Sequence, residues 1–220
     1  MQTPFRSSNL LGLCLSIALA VAFAAPTLLA QAAENPASRS AIERMQKPGP
    51  EAEQLARRAG VWNVVITLRP TPDATPVVTT GLVAERTMIG LFLQEVIKPA
   101  PGSSTPDFRR ISYLHYNRVE GRWQYVSLDT RFPAGIMPAW SFEKEVGGKL
   151  TLEFESLAFA GWGREVEGWL MRSNYVISRE SDDHEFARQF WTRADGSGQE
   201  WLAVQYEYTR KLGSGLHLPH

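Results

Sequence analysis

The sequence predicts an all-β protein, a single antiparallel, up-and-down β-barrel of about ten strands. From Trp62 onward, apolar and polar residues alternate with a period of two, which is typical of half-buried strands. The breaks between these segments are short and rich in Gly, Pro, Ser and Asp, with no crossover helix. Short turns make neighbouring strands antiparallel. So long a series of strands closes on itself or stacks as two sheets to avoid exposed edges.

The first strand shows the pattern clearly, because Trp62, Val64 and Ile66 share one face while Asn63 and Thr67 lie on the other. Each later strand ends at a turn signal such as Ile89-Gly90, Gly121 or Gly147-Gly148. The predicted strands are 62–68, 77–87, 91–98, 108–117, 122–129, 139–145, 149–157, 170–179, 184–193 and 199–210.

The N-terminal segment 1–32 predicts a signal peptide. Arg6 supplies the positive start, an apolar core runs from Leu10 to Ala25, and Ala30-Gln31-Ala32 offers a small-x-small cleavage site. A retained membrane anchor is the alternative, but the run is short for a span and Pro26 interrupts it. We therefore expect cleavage near Ala32, a periplasmic or secreted protein, and no stable membrane insertion after cleavage.

The mature chain divides by composition. Residues 33–49 are polar, and we expect a flexible lead. A short helix follows over 50–59, with Pro50 at its first position, and Gly60 ends it. The barrel domain covers 50–211, and the tail 212–220 is expected to be disordered.

Composition excludes several function classes. Lys plus Arg is 23 and Asp plus Glu is 23, so the chain lacks the basic surplus of a nucleic-acid binder. Cys14 is the only cysteine and lies in the signal segment, so we expect no disulfide. Nucleophile-elbow, phosphate-loop and dinucleotide motifs are absent from the sequence. We predict no catalytic residue, no metal site and no cofactor.

The motif Gly60-x-Trp62 at the start of the first strand resembles the start of lipocalin and calycin barrels. In those barrels the Trp plugs one end, and an Arg from the last strand lies over its ring, a cation–π contact. The resemblance implies this role for Arg210. Strand parity agrees, because an inward Arg210 also turns Tyr208 and Tyr206 inward.

A second resemblance covers most of the mature chain and is to a bacterial domain-of-unknown-function family with a lipocalin-like barrel. The chain departs from that family where members often have Gly-Gly-Arg before the Phe-Leu pair, and Tyr-Asp for Tyr116-Asn117. The resemblance implies the fold and a ligand cavity, and the family brings no established chemistry. The matching segments are Lys47-Pro48-Gly49-Pro50-Glu51, Leu55, Gly60-Val61-Trp62, Ile89-Gly90-x-Phe92-Leu93-Gln94, Tyr116-Asn117 and Tyr208-Thr209-Arg210-Lys211.

His115 is a candidate ligand-binding residue and shares a strand face with Tyr113 and Ile111. If that face is the lumen, His115 would hydrogen-bond a ligand or, as an alternative, bind haem iron. The competing interpretation is a structural or surface histidine. His184, beside Asp182 and Asp183, is interpreted as part of a solvated turn rather than a metal site.

Arg188, Tyr175 and Tyr206 complete the predicted ligand-binding set. Arg188 alternates with Phe186 and Phe190, so it faces the lumen if the Phe pair does, and a buried Arg needs an anionic partner. The alternative is an outer-face Arg, or one paired with Glu95 or Glu153. The tyrosines, with Tyr208, are plausible lumen hydroxyls or plain core residues.

These residues lead to three functional hypotheses. The first is an exported protein that binds a small apolar or aromatic ligand with a polar handle in the barrel cavity. The second is an enzyme using the same cavity, with His115 or a lumen Tyr as acid–base residue. The third is a filled barrel that acts as an envelope interaction module through exposed Trp162, Trp169 and Trp201.

Overall fold

The computed structural model describes residues 36–132, 135–159 and 169–211. The predicted signal peptide 1–32 and the tail 212–220 lie outside these residues. The chain divides into two compact units at Lys47 and Pro48, and each is described by itself. No helix in the described residues has the length and apolar character needed to cross a membrane.

The first unit contains helix α1 (Pro36–Gln46), which lies in the stretch predicted above to be a flexible lead. Local chemistry explains the helix. Pro36 occupies its first position, where the missing N–H costs nothing, and good helix formers such as Ala, Arg, Glu, Met and Gln follow. Arg44 in the last turn donates to Ser40 Oγ over 3.0 Å.

The second unit begins with the predicted short helix, α2 (Pro50–Ala56). Pro50 starts it, Glu51 and Glu53 lie in the first turn where the helix dipole favours carboxylates, and Gly49 precedes it in extended conformation. Leu55 is buried, and the helix packs against the second, third and fourth strands of the barrel.

Ten antiparallel strands follow, and each pairs with the next in sequence. The last strand pairs with the first, so the sheet closes and the predicted up-and-down barrel is confirmed. The strands are β1 (Gly60–Leu68), β2 (Val77–Ile89), β3 (Phe92–Pro99), β4 (Arg110–Asn117), β5 (Arg122–Asp129), β6 (Met137–Ser141), β7 (Lys149–Phe159), β8 (Trp169–Arg179), β9 (His184–Arg193) and β10 (Trp201–Arg210).

Strand β6 is shorter than its predicted range 139–145. It ends at Ser141, whose Oγ accepts a hydrogen bond from the Glu143 backbone N–H over 3.1 Å. A serine that bonds the backbone two residues later favours a turn over a continued strand. As a result, β6 meets β7 through the pairs Ala139–Phe154 and Trp140–Glu153.

The register fixes which side chains fill the lumen, because residues paired across antiparallel strands share a face. Trp62 pairs with Arg210 on one side and Ala84 on the other, so these three face inward. Extending the rule around the barrel gives an inner face of apolar residues interrupted by a band of charged and tyrosine side chains. That band positions the candidate site.

Candidate functional site

One end of the barrel is closed by Trp62, which is 1% exposed. Its indole N–H donates to the Arg58 carbonyl oxygen over 3.1 Å. The Arg210 guanidinium carbon lies 4.2 Å from the Trp62 ring centroid, and that of Arg86 lies 4.9 Å away. The indole therefore contacts two cations that its electron-rich face attracts.

Arg210 also ties the helix end to the barrel. Its Nη1 donates to the Ala59 carbonyl oxygen and its Nη2 to that of Arg57, both over 2.8 Å. Gly60 has a φ of +130°, and a Cβ there would lie 2.9 Å from Arg210 Nη1. Glycine is thus required for the backbone conformation and for the close approach of the guanidinium.

A buried ion network lies beneath Trp62, and it was not predicted from the sequence. Arg86 donates through Nε to Glu95 Oε2 over 2.7 Å and through Nη2 to Glu185 Oε1 over 2.9 Å. Arg58 Nε lies 3.2 Å from Glu185 Oε2, and Arg58 Nη2 lies 3.8 Å from Glu145. Arg58, Arg86, Glu95 and Glu185 are all less than 9% exposed. Because isolated buried charges are costly, each of these side chains needs its partners in the folded protein.

Strand parity carried a signal for this network. Arg86 alternates with the inward residues Leu82 and Ala84, and Glu95 lies between the inward residues Leu93 and Ile97. An Arg and a Glu on the apolar faces of two adjacent strands indicate a buried pair, since unpaired charges are rarely buried.

The network shifts the pKa of Glu185. Burial alone would raise this pKa. The charges of the Arg86 and Arg58 guanidiniums outweigh the effect of burial and hold the pKa of Glu185 below its ordinary value. The carboxylate is therefore ionised near neutral pH in the folded protein.

We expect stability to fall in acid because of Glu185. Its folded-state pKa lies below the ordinary 4.5, so its contribution is present above about pH 4.5 and is lost as pH falls through the folded-state pKa. Within that window one such carboxyl changes the free energy of unfolding by about 1.4 kcal/mol per pH unit. Urea unfolding between pH 7 and pH 3 measures the slope. Glu185→Gln should have the shallower slope below pH 4.5, and equal slopes would contradict the assignment.

Arg110 extends the polar band toward the other end of the barrel. Its Nη2 donates to the Tyr125 hydroxyl over 2.6 Å, and its Nη1 lies 3.4 Å from Glu95 Oε1. The guanidinium carbon lies 4.6 Å from the Tyr206 ring centroid. Tyr175 completes this layer, with its ring 5.3 Å from that of Tyr125.

The lumen tyrosines are poor acids at neutral pH. Burial, followed by the neighbouring phenol of Tyr125, raises the pKa of Tyr175 well above its ordinary value. Burial likewise raises the pKa of Tyr206, and burial with the nearby Glu95 carboxylate raises that of Tyr208. Their hydroxyls therefore stay protonated and can donate hydrogen bonds.

Two small cavities lie in the lumen, and Tyr208 lines the first while Tyr206 lines the second. The first, of about 30 Å³, is lined by the Arg86 network and Tyr208, and has room for about a single water molecule. The second, of about 40 Å³, lies toward the end opposite Trp62 and includes Arg110 and Tyr206 in its lining.

The second cavity combines apolar walls with polar groups. Phe154, Trp191 and Val204 form part of the wall. The Ser127 hydroxyl is buried and has no hydrogen-bond partner in the described residues, and the side chain of Gln189, 7% exposed, also lines the cavity. Buried polar groups usually have partners, so the Ser127 hydroxyl indicates a site for a bound molecule or for water.

The structure places Tyr175 and Tyr206 in the lumen, and it places His115 and Tyr113 on the outer face of the barrel. Strand β4 turns Arg110, Ser112 and Leu114 inward instead. His115 stacks on Phe92 with centroids 4.3 Å apart, and the Tyr113 hydroxyl accepts a hydrogen bond from Gln94 over 2.6 Å.

Arg188 also lies on the outer face. Its Nε donates to Gln205 over 3.0 Å, its Nη1 donates to Ser178 over 3.3 Å, and its guanidinium lies 4.2 Å from the Phe186 ring. The inward residues of β9 include Glu185, which the sequence analysis did not single out. A surface arginine held by an amide, a hydroxyl and a ring matches the outer-face alternative for Arg188.

Mixed strand faces explain these placements. In β4 both alternating sets contain polar and apolar residues, so sequence parity could not say which set is buried. In β9 the Phe186 and Phe190 face looked more apolar, yet Ala187 and Trp191 share the buried face with Glu185.

The remaining candidates lie outside the lumen or outside the described residues. His184 is on the outer face, with its ring nitrogens 3.5 Å from Glu180 and 3.2 Å from Glu207. Within the described ranges no cluster of three or more His, Cys, Asp or Glu could hold a metal ion. Trp201 is half-buried and donates to the Arg69 carbonyl oxygen over 3.0 Å. Trp162 and the Trp169 side chain lie outside the described part of the chain.

No protein-family model matches the chain. No curated protein matches it either. Among solved structures, the chain is similar to Rv2717c from M. tuberculosis, with a TM-score of 0.49 and 13% sequence identity over 75% of this chain and 99% of that chain. A likeness this distant says nothing about the function of the chain.

Proposed function

We propose that this barrel is an exported binding protein, and that it binds a small apolar or aromatic molecule with a polar handle in its lumen. The observation that carries the proposal is the cavity at the end opposite Trp62, where the buried Ser127 hydroxyl has no hydrogen-bond partner in the described residues and Gln189 also lines the wall. Binding pockets typically combine apolar walls with a few converging polar groups.

The asymmetry of the barrel supports entry from this end. The other end is sealed by Trp62, Arg210 and helix α2. At the cavity, Phe132 and Met137 are half-buried and line its edge. Methionine has an adaptable side chain, so Met137 can change rotamer and enlarge a space of about 40 Å³ for a ring-sized ligand.

The lumen favours binding over acid–base catalysis. Of the two histidines in the described residues, His115 and His184, neither faces the lumen, and the inward Tyr175 and Tyr206 have raised pKa values. An enzyme operating near neutral pH needs a group whose pKa lies near that pH. His115 lies on the outer face and so does not provide an axial ligand to a haem in the lumen.

Export is the second part of the proposal and rests on the apolar core and small-x-small site of the N-terminal segment. N-terminal sequencing of protein recovered from the periplasm or the medium of an expressing bacterium should begin near Ala33. Recovery of the uncleaved chain from the cytoplasm alone would contradict export.

Ligand binding is tested with a matched pair of valine substitutions. Val204 lines the cavity and is 6% exposed, whereas Val65 lies half-buried on the outer face of β1. We expect naphthamide or naphthoate to bind, with affinity weakened about tenfold or more in Val204→Phe and unchanged in Val65→Phe. The measurements are tryptophan fluorescence titration and calorimetry, with circular dichroism to verify folding.

Native mass spectrometry of the purified protein provides an independent measurement, because a molecule bound during expression would appear as added mass. The proposal fails if no small molecule copurifies and neither probe binds. It also fails if Val204→Phe remains folded and binds the probes as the parent does.

A further inference from the structure

We infer that the polar handle of the lumen ligand is an anionic head group of the carboxylate class, bound by Arg110 together with Gln189 and Ser127. This inference rests on the proposed function, since it specifies the chemistry of the molecule that the lumen binds. Arg110 is 4% exposed and lines the same cavity as the Ser127 and Gln189 side chains.

The charge of Arg110 is incompletely compensated by its neighbours. Its only carboxylate neighbour within 4 Å among the described residues is Glu95, at 3.4 Å, and Glu95 is held more closely by Arg86, at 2.7 Å. The shorter contact of Arg110 is with the neutral hydroxyl of Tyr125. A buried cation that shares its counter-ion with a closer cation favours binding of a further anion.

Asp129 is the other charged side chain that lines the cavity. Asp129 pairs with Arg110 across β4 and β5, but its two carboxylate oxygens accept hydrogen bonds from Arg131 over 2.9 and 2.6 Å. Arg131 therefore already pairs with Asp129, so this carboxylate does not compete with a ligand anion for Arg110. An arginine without that competitor attracts an anionic head group and disfavours a cationic one.

The cavity also supplies neutral hydrogen-bond donors beside the guanidinium. The Ser127 hydroxyl and the Gln189 amide can both donate, and the Tyr206 phenol stays protonated because burial raises its pKa. A carboxylate accepts several hydrogen bonds at once, and those with a charged partner are the strongest. A neutral amide head group would use the same donors without the charge of Arg110.

The test compares naphthoate with naphthamide, which share a ring system and differ in head-group charge, by calorimetry at pH 7. We expect the parent protein to bind naphthoate about tenfold or more tightly than naphthamide. In Arg110→Met the ratio of the naphthoate affinity to the naphthamide affinity should fall to near one, with naphthamide still bound. Arg188→Met is the matched control: this arginine lies on the outer face, so the ratio should remain that of the parent.

The outcomes separate this inference from the proposed function. If naphthamide binds as tightly as naphthoate in the parent, the anionic head group is wrong and the lumen remains a binding site. If neither probe binds and nothing copurifies, both fail. Should Arg110→Met not fold, Arg110→Lys keeps the charge without the planar fork, and its ratio should lie below that of the parent. An unchanged ratio in a folded Arg110 variant overturns the inference.

Discussion

Replacing Arg86 with Met is expected to lower the free energy of unfolding by about 3–5 kcal/mol. Arg86 contacts Glu95 and Glu185 at 2.7 and 2.9 Å, and all three side chains are buried. Methionine occupies part of the same space but leaves two buried carboxylates without their closest cation. A buried charge without compensation destabilises the folded state. Urea unfolding followed by far-ultraviolet circular dichroism measures the change.

Lys98→Met is the control for this substitution. Lys98 forms a 2.8 Å ion pair with Glu85, but the two side chains are 28% and 49% exposed, so solvent screens the pair and its loss should cost less than about 1 kcal/mol. Arg86→Lys should fall between the two, because an ammonium is a point charge that cannot reproduce the forked contacts of a guanidinium. A loss below 1 kcal/mol for Arg86→Met would show that the buried pairs contribute little.

The second large effect is expected at the closed end. Trp62→Ala removes a ring that is 1% exposed, its hydrogen bond to the Arg58 carbonyl, and the aromatic surface beneath Arg210. Truncation of a buried Trp leaves a cavity, so we expect a loss of about 3–5 kcal/mol. Urea unfolding gives the total, and amide hydrogen exchange should show faster exchange in α2, since Arg210 bonds to the Arg57 and Ala59 carbonyls that follow it.

Two variants separate the parts of that effect. Trp62→Phe keeps most of the ring and loses the indole N–H, so it should cost less than the alanine variant. Trp140 lies half-buried on the outer face of β6, and Trp140→Ala should cost less still because water already reaches that ring. If Trp62→Ala and Trp140→Ala destabilise the protein equally, Trp62 does not act as the seal of the barrel.

Much of the fold follows from local patterns in the sequence. The period of two from Trp62 onward and the turn residues between segments place ten strands, and the structure contains ten. The predicted boundaries differ most at β6, where the Ser141 side chain turns the backbone earlier than the apolar pattern indicates. Helix α1 was missed because its polar composition hides a short apolar stripe of Ala41, Ile42 and Met45, although Pro36 was a usable start signal.

The candidate site was predicted less completely. Tyr175 and Tyr206 lie in the lumen, whereas His115, Tyr113 and Arg188 lie on the outer face. When a strand has apolar residues on both faces, its sequence does not show which face is buried. The buried face depends on the register with the neighbouring strands. Arg110 was also overlooked. It follows Phe108-Arg109 near the edge of a predicted strand, where the pattern does not show which face is buried.

Local sequence patterns suffice to predict the antiparallel strands, their turns and the Gly60-x-Trp62 entry into β1, because these depend on neighbours a few residues away. Which charges meet inside the barrel depends instead on the complete fold. Arg86 and Glu185 are 99 residues apart in the chain, and they come within 2.9 Å because the closed sheet carries β2 and β9 around one lumen. Such a contact depends on barrel closure and register together, and no local pattern specifies either.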